Sequence, residues 1–174
     1  MVDDEKNRDL AARARLVRLA IFDVDGVLTD GRLFFLPDGS ETKIFHARDG
    51  MGFRLLRDQG IEIAIISGRE SPVVAKRMAA LKINFVFQGC DNKLAVYEEL
   101  LAKLKLTPEQ TSYVGDDIID APVMRKAGLA VAVADAHHSA IAAAHWVTAL
   151  PGGLGAVREV CDFLLASQNP KSQV

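Results

Sequence analysis

The sequence predicts an α/β fold built on a parallel, doubly wound sheet. Short apolar runs recur along the chain, each too short for a helix and followed by polar residues, which is typical of buried parallel strands. Segments of about 10 to 15 residues with helical character separate these runs. Strands that alternate with helices form βαβ units with right-handed crossovers. No internal repeat or low-complexity segment interrupts the pattern, so we expect one domain over residues 1–174.

The composition excludes several classes of protein. The net charge is −2, from 21 basic and 23 acidic residues that are interspersed, which argues against nucleic acid or an anionic membrane as the main partner. Cys90 and Cys161 have no paired spacing, which favours a reducing compartment over a disulfide framework or a zinc site. The first residues are too polar for a signal peptide, and no apolar run approaches the ~20 residues of a membrane span. We expect a soluble, cytoplasmic protein.

The first elements are predicted to be a helix, a strand and a hairpin. Residues 3–15 are charged and rich in alanine without a broad apolar face, which indicates a loosely attached helix. The apolar run at residues 17–22 leads into Asp23 and predicts the first buried strand. Residues 32–46 contain two short β-prone runs around a Pro-Asp-Gly-Ser turn at residues 37–40. They predict a small β-hairpin that is inserted after the first strand of the sheet.

The remaining elements alternate between helix and strand. Helices begin where a polar capping residue precedes a helical segment, as at Ser71 with Pro72 in the first turn. In order, the sequence predicts a helix at residues 49–59, a strand at 61–66, a helix from 71, a strand at 84–88, a helix from 91 or 92 to about 105, a helical turn at 107–109, a strand at 112–115, a helix at 120–128, a strand at 129–133, and then a helix, a short strand at 146–148 and a final helix. The polar residues 167–174 predict a mobile tail.

Two aspartates follow the first strand. Asp23 and Asp25 lie two residues apart, so in strand geometry they project to the same side, where unpaired carboxylates would repel each other. Mg²⁺, a hard ion that binds carboxylate and carbonyl oxygens, would relieve this repulsion. Taken alone, an Asp-x-Asp-Gly sequence is also an ordinary polar turn after a strand. The choice between a metal site and a turn therefore depends on the rest of the chain.

Further polar groups arrive at the same edge of the predicted sheet. Ser67 follows the second strand of that sheet, Lys93 begins the helix after the third, and Asp116 with Asp117 follows the fourth. Open α/β sheets bind ligands at the carboxyl ends of their strands. Each residue has a structural alternative, because Ser67 could cap a turn, Lys93 could be a solvated helix residue, and the two aspartates could belong to an ordinary loop. Their coincidence with the first aspartate pair favours one catalytic site.

In this order the motifs resemble those of the haloacid dehalogenase superfamily of phosphohydrolases. The resemblance implies that Asp23 is the nucleophile, which forms an aspartyl-phosphate, and that Asp25 is a general acid and base. It also implies that Ser67 and Lys93 hold the phosphoryl group. The fold it implies is the Rossmann-like core of that superfamily.

The same resemblance implies a Mg²⁺ site. Its ligands are expected to be Asp23, the backbone carbonyl of Asp25, and Asp116. Asp117 is expected to support Lys93 or the metal from a second layer of residues, without ligating the ion. The intervals between the motifs leave no room for the cap domain that superfamily members usually carry. The site should therefore stand open unless another subunit covers it.

Longer segments narrow the resemblance to one family within the superfamily, the 3-deoxy-D-manno-octulosonate 8-phosphate phosphatases. The similarity extends over roughly residues 16–166. The segments that carry it are residues 25–31, 46–52, 66–69, 88–93, 114–124, 133–136 and 152–162. That family releases the octulosonate sugar used in bacterial lipopolysaccharide. The resemblance implies substrate contacts at Asp25, His46, Ala47, Arg48, Asp49, Gly50, Arg54, Arg69, Arg77 and Lys93. Guanidinium groups suit a substrate that carries a carboxylate and a phosphate, although an arginine on a helix is also commonly a solvated surface residue.

Members of that family form tetramers in which the inserted hairpins meet around the symmetry axis. The resemblance therefore implies a homotetramer and burial of Phe34, Phe35 and Ile44 in a partner. The alternative is a hairpin that folds onto its own sheet. Two other functions also fit the residues: a phosphatase of the same mechanism for another sugar phosphate, and a non-catalytic companion domain of sugar-acid activation.

Overall fold

The computed structural model describes the backbone of residues 2–169 and the side chains of residues 5–169. The strands are β1 (Leu19–Phe22), β2 (Phe34–Phe35), β3 (Glu41–Thr42), β4 (Glu62–Ile66), β5 (Phe85–Phe87), β6 (Thr111–Gly115), β7 (Leu129–Ala132) and β8 (Trp146–Val147). The helices are α1 (Val2–Leu16), α2 (Ala47–Asp58), α3 (Pro72–Ala80), α4 (Lys93–Leu104), α5 (Ala121–Met124), α6 (His138–Ile141) and α7 (Ala156–Gln168), with a 3₁₀ turn at Pro108–Gln110.

Six strands form one parallel sheet in the order β5-β4-β1-β6-β7-β8. The first strand is central, because Leu19 pairs with Glu62 of β4 on one side and with Thr111 of β6 on the other. The predicted doubly wound α/β sheet is confirmed. Its strand order brings the carboxyl ends of β4, β1 and β6 side by side, which is where the candidate site residues follow.

Helices cover both faces of the sheet. Along β1, Ala20 and Phe22 join the core beneath α1, α2 and α7, whereas Leu19 and Ile21 join the core beneath α4 and α5. All four side chains are fully buried, as expected for a parallel strand that is covered on both faces.

The amino-terminal helix is more firmly attached than its composition suggests. Leu10, Ala14 and Val17 are buried at the edge of the first core, and the Arg13 guanidinium donates a hydrogen bond to the Gly128 carbonyl at 2.9 Å. Leu10 and Ala14 lie four residues apart, so they form a narrow stripe on one face of α1, and Val17 follows the end of the helix. The expectation of a loosely attached helix is wrong, because this stripe was too narrow to stand out among charged residues.

The inserted hairpin forms a separate sheet of two antiparallel strands. Phe34 pairs with Thr42, and the connecting turn is closed by a hydrogen bond from the Leu36 amide to the Ser40 carbonyl at 2.8 Å. Gly39 occupies the left-handed region at φ 83°, which favours glycine in this turn. The predicted hairpin is therefore present, and it pairs with no strand of the main sheet.

Several predicted boundaries differ from the structure. The helix predicted at residues 120–128 is shortened to the four residues of α5, and the helix before β8 is the equally short α6. The predicted tail begins too early, since α7 continues to Gln168 with Ser167 buried, while residues 170–174 lie outside the described part of the chain. Among the described residues, no helix is both long and apolar enough to cross a membrane.

Candidate active site

The carboxyl ends of three neighbouring strands surround one cavity of about 260 Å³. Asp23 and Asp25 reach it from the loop after β1, Ser67 from the end of β4, and Asp116 from the loop after β6. Arg69, two residues after Ser67, also lines it. Residues that are far apart in sequence therefore meet because their strands are adjacent in the sheet.

Close backbone contacts hold the loop after β1. The Thr29 hydroxyl accepts a hydrogen bond from the Gly31 amide at 3.2 Å, and Gly26 has φ 84°, which an L side chain would strain. A Cβ atom on Gly152 would lie only 1.7 Å from the Gly26 carbonyl oxygen. The glycine-rich segment before α7 is thus packed against the loop after β1, and the close approach requires glycine at position 152.

Lys93 joins two carboxylates at the centre of the site. Its Nζ lies 2.8 Å from Oδ2 of Asp23 and 2.7 Å from Oδ1 of Asp120, and all three side chains are buried. Lys93 is the first residue of α4, which Asn92 caps by accepting a hydrogen bond from the Ala95 amide. Burial lowers the pKa of Lys93, but the charges of the two aspartates outweigh that effect and raise it overall, so the ammonium stays charged.

Asp120 is a site residue that the sequence analysis missed. Its Oδ1 accepts hydrogen bonds from Lys93 and from the Tyr113 hydroxyl, both at 2.7 Å. Its Oδ2 accepts the backbone amides of Asp116 at 3.0 Å and Asp117 at 3.2 Å. The carboxylate therefore orders the loop after β6 and orients Lys93. Its only sequence signal was a third aspartate soon after Asp116 and Asp117, which was interpreted as the start of a helix.

The side chain of Asp117 lies apart from this network, to which only its backbone amide belongs. Its side chain is about half exposed, its Oδ1 accepts the Ile118 amide at 2.7 Å, and it lies 3.8 Å from Nδ1 of His137. The expected support of Lys93 is provided by Asp120, three residues later. The difference arises because the chain turns after β6, so that Asp120 points back into the site and Asp117 lines the outer cavity wall.

Negative charge exceeds positive charge at this centre. Burial, followed by the charge of Asp120, raises the pKa of Asp23 to about 7 despite the opposing effect of Lys93. Burial and the charges of Asp23 and Asp120 raise the pKa of Asp116 to about 8. One ammonium group cannot balance three carboxylates, so the geometry favours an additional cation.

The residues present fit Mg²⁺. Asp23, Asp116 and Asp120 each offer an oxygen within 4.8 Å of the others, and Mg²⁺ prefers oxygen ligands of this kind. The oxygens of Asp120 already accept four hydrogen bonds, so the carboxylates available to an ion are those of Asp23 and Asp116. A Cβ atom on Gly26 would lie 1.9 Å from Oδ2 of Asp116, so glycine permits the close approach of these two loops.

A second group of charges surrounds Asp25. The Lys43 ammonium, which follows β3 of the hairpin, donates a hydrogen bond to Oδ1 of Asp25 and lies 2.5 Å from Oε1 of Glu41. Arg69 donates to Oε2 of Glu41 at 2.9 Å, and its Nε lies 3.7 Å from Oδ2 of Asp25. The sequence analysis did not identify Glu41 and Lys43, because alternating charges on a hairpin usually face solvent.

Asp49, which the resemblance places in contact with substrate, accepts a hydrogen bond from another helix. It is buried, and its Oδ1 accepts the Arg158 amide in the first turn of α7 at 2.9 Å. Gly155 at the start of that helix has no side chain to satisfy this amide. Asp49 therefore caps a helix that begins more than 100 residues later. Among its neighbours, His46 is half-buried, whereas Ala47 and Arg48 are exposed.

Two of the predicted arginines lie in a different cavity. Arg54 and Arg77, together with Ala47 and Gly50, line a cavity of about 660 Å³ beside α2 and α3. This cavity shares no lining residue with the one that contains Asp23. Within one chain, the structure therefore brings Arg69 to the catalytic cavity but does not bring Arg54 or Arg77 there.

Comparison with known proteins agrees with this geometry. A model of haloacid dehalogenase-like hydrolases matches residues 83–153. A 3-deoxy-D-manno-octulosonate 8-phosphate phosphatase of Escherichia coli K12 is 52% identical over 160 residues, which cover 92% of this chain and 85% of that protein. The chain belongs to the 3-deoxy-D-manno-octulosonate 8-phosphate phosphatase family. Its counterpart in Yersinia pestis is 49% identical over 161 residues, covering 92% of this chain and 86% of the relative.

Solved structures of this phosphatase family have the same fold. The crystal structure of the Yersinia pestis enzyme matches with a TM-score of 0.91 and 49% identity, covering 92% of this chain and 87% of that one. The Moraxella catarrhalis phosphatase, solved with magnesium, phosphate and a KDO molecule, matches with a TM-score of 0.91 and 38% identity over 93% of each chain. The resemblance found in the motifs is therefore confirmed at the level of family and fold.

The capping role of Asp49 can be separated from substrate binding. Asp49→Ala is expected to lower the free energy of unfolding by about 1–2 kcal/mol, because the Arg158 amide loses its acceptor. The KM for phosphorylated substrate should stay within about twofold of wild type, since Asp49 does not line the catalytic cavity. Asp49→Asn, which retains an acceptor oxygen, should lose less stability. Urea unfolding and steady-state kinetics measure both effects, and a large rise in KM without loss of stability would restore Asp49 as a substrate contact.

Mg²⁺ is expected to stabilise the protein more strongly in alkaline than in acidic solution. The pKa values of Asp23 and Asp116 in the folded protein lie above the ordinary value of 3.8. The folded state therefore retains protons that the unfolded state releases, and this contribution to stability is lost as the pH rises through about 7 to 8. A metal ion needs both carboxylates ionised, so it competes with those protons at low pH.

Thermal unfolding with and without Mg²⁺ measures this difference. At about pH 8.5 and a Mg²⁺ concentration about 100 times its Kd, the midpoint should rise by about 5–10 °C, and the rise should be smaller at about pH 5.5. Asp116→Asn should stabilise the metal-free protein, because it removes one of the repelling charges, and should abolish the response to Mg²⁺. An equal response at both pH values would contradict the assigned site.

Proposed function

We propose that the chain is a Mg²⁺-dependent phosphomonoesterase that hydrolyses 3-deoxy-D-manno-octulosonate 8-phosphate to 3-deoxy-D-manno-octulosonate and phosphate. The observation that carries the proposal is the buried ion pair between Asp23 and Lys93 within a cluster of carboxylates. The magnesium, phosphate and KDO bound to the Moraxella catarrhalis relative support the cofactor and the substrate. Because the sugar acid is a component of lipopolysaccharide, the activity belongs to lipopolysaccharide biosynthesis.

The reaction divides into two displacements. Asp23 attacks phosphorus and forms an aspartyl-phosphate, while the bond from phosphorus to the sugar oxygen breaks. Asp25 protonates that leaving oxygen, and it then removes a proton from the water that attacks the aspartyl-phosphate. A positioned acid and base of this kind is typically worth about 10²–10⁴-fold in rate. The first step needs an ionised Asp23 in contact with phosphorus and a proton donor beside the ester oxygen. In the second step the bond from phosphorus to the Asp23 oxygen breaks, which restores the carboxylate and releases phosphate.

Charge compensation makes this attack feasible. A phosphate monoester and the Asp23 carboxylate are both anions, and the Lys93 ammonium offsets their repulsion. When bound by Asp23, Asp116 and the backbone carbonyl of Asp25, Mg²⁺ supplies further positive charge at the phosphoryl oxygens. Ser67, at the wall of the same cavity, is assigned to hold the phosphoryl group. Asp120 keeps Lys93 in place from the opposite side.

The sugar acid carries its own negative charge. Arg69 lines the catalytic cavity with its side chain 44% exposed, so the guanidinium N–H groups that do not bond Glu41 are available to the substrate carboxylate. Arg54 and Arg77 line the other cavity, together with Ala47 and Gly50. Their predicted substrate contacts therefore require a neighbouring subunit, and we assign them to the site of that neighbour.

We also propose a homotetramer, as the family resemblance implies. Phe35 and Ile44 are 63% and 66% exposed, and Leu33, Phe34 and Leu36 expose at least 39% of their surface. Apolar side chains concentrated on one small hairpin are typical of a surface that another copy covers. A cytoplasmic location remains a prediction, supported by cysteines without disulfide bonds.

Phosphate release tests the proposed activity. The octulosonate 8-phosphate is expected to be hydrolysed in a Mg²⁺-dependent reaction and at least about 10-fold faster than other sugar phosphates, because a site built around its carboxylate rejects analogues without it. Asp23→Asn should lose at least about 10³-fold in kcat, since the nucleophile is removed. Asp162→Asn, on the exposed side of α7, should retain full activity. Equal turnover of all sugar phosphates would keep the chemistry and reject the substrate, and no turnover would favour a companion domain.

Light scattering tests the tetramer. The expected mass is four times the chain mass of 18.9 kDa. Phe35→Asp with Ile44→Asp should yield smaller species, because charged groups would be buried in the hairpin contact. Leu154→Asp, at a residue that is 59% exposed in the loop before α7, should leave the tetramer intact. A wild-type monomer at micromolar concentration would contradict the proposal.

A further inference from the structure

The hairpin presents two chemically different sides. Phe35 and Ile44 are largely exposed, whereas the Lys43 side chain, next to Ile44 in sequence, is only 1% exposed. The Glu41 side chain is also mostly covered, at 15% exposed. A buried lysine normally costs stability unless its charge is paired. Here the ammonium group is paired within the catalytic site of its own chain.

The contacts of Lys43 form a closed ring of charges. The ammonium bonds to Oδ1 of Asp25 and contacts Glu41, Glu41 accepts a hydrogen bond from Arg69, and Arg69 returns to within 3.7 Å of Asp25. Two cations and two anions alternate, so the ring adds no net charge to the site. Breaking a buried pair by removal of one partner is costly, which favours retention of the contact between the buried Lys43 and Asp25.

This ring distinguishes the two oxygens of Asp25. Oδ1 is anchored by Lys43, whereas Oδ2 is buried and has no hydrogen-bond partner among the described residues. Buried carboxylate oxygens without a partner are uncommon in folded proteins and call for an explanation. Asp25 lines the same cavity as the nucleophile Asp23. Oδ1 accepts a hydrogen bond from Lys43, whereas Oδ2 faces Nε of Arg69 at 3.7 Å without a hydrogen bond, so Oδ2 is the oxygen with capacity left for a proton.

We propose that Lys43 is a positioning residue for the hydrolytic reaction: it anchors Oδ1 of Asp25, so that Oδ2 is the oxygen that gives the proton to the leaving group and later takes one from water. Glu41 compensates the charge of Lys43 and holds Arg69 against the same carboxylate. The inference rests on the proposed phosphatase function. It gives the hairpin a part in the chemistry of its own chain, in addition to any contact with a partner.

Leaving-group dependence separates positioning from a general loss of structure. The sugar substrate leaves as an alkoxide, which needs a proton from Asp25, whereas p-nitrophenyl phosphate leaves as a stable phenolate and does not. The ratio of kcat/KM between the two substrates therefore reports proton donation, because kcat/KM covers the steps up to departure of the leaving group. A mere loss of folded protein would lower both values equally.

Lys43→Met removes the ammonium group and keeps the length of the side chain. We expect kcat/KM for the sugar phosphate to fall about 10–100-fold, a part of the full acid effect, while the value for p-nitrophenyl phosphate falls less than about threefold. Lys43→Arg, which keeps a charged donor, should return the ratio to within about threefold of wild type. Lys126→Met, in an exposed ion pair with Glu98, is the matched control and should change neither value.

A double-mutant cycle with Asp25→Asn completes the test. If Lys43 acts through Asp25, the leaving-group ratio of Asp25→Asn should not change further when Lys43→Met is added. An unchanged ratio in folded Lys43→Met, or an additive effect in the double variant, would overturn the proposal. If circular dichroism shows that Lys43→Met is unfolded, Lys43→Gln replaces it in the same comparison. Absence of phosphate release from wild-type protein, with Asp23→Asn as blank, would instead reject the proposed function and the inference with it.

Discussion

The ammonium group of Lys93 is the interaction on which the site depends. Asp23 comes from the central strand, Asp120 from the segment after its neighbour, and Lys93 from a helix that follows the edge strand β5. Because both carboxylates are buried, each would cost several kcal/mol without a cationic partner. The Lys93 ammonium thus holds together three segments of the chain at the edge of the sheet where they meet. Asp120 also orders the loop after β6. Lys93 bonds Oδ1 of Asp120, and Oδ2 accepts hydrogen bonds from two backbone amides of that loop.

The same centre shows a conflict between stability and function. The charge of Asp120 raises the pKa of Asp23, and the charges of Asp23 and Asp120 raise the pKa of Asp116. Replacement of one of these carboxylates by a neutral residue would therefore make the metal-free folded state more stable. Their retention makes sense only if the excess negative charge is used. It attracts a hard cation, and the cation together with Lys93 attracts a dianionic phosphate. Selectivity for phosphate esters therefore arises from a charge imbalance that the isolated chain leaves unresolved.

The strands and the position of the site could be predicted from local sequence patterns. Side chains whose direction depends on a turn of the chain could not. The runs before Asp23 and Asp116 are apolar and short, so the strands could be inferred from the order of residues alone. The edge of the sheet where these two carboxylates meet could be inferred in the same way. Asp120 was missed because an aspartate before Ala-Pro is an ordinary helix start, and Lys43 because a lysine beside Ile44 on a hairpin normally faces water. For Asp49, the substrate contact that the resemblance implies stays a prediction, whereas its hydrogen bond with the Arg158 amide 109 residues away was not foreseen. No local pattern reports such a contact.

The separation of the hairpin from the main sheet also bears on how this family can diversify. No backbone ladder connects β2 or β3 to the six parallel strands, so residues can be gained or lost at the turn around Gly39 without any slip of register in the sheet that carries Asp23. Glu41 and Lys43 tie the inner part of the hairpin to the loop after β1 and to Arg69. Evolution is therefore free to reshape the outer part of the hairpin, and with it the choice of neighbour, while the inner part keeps the hydrolytic machinery constant.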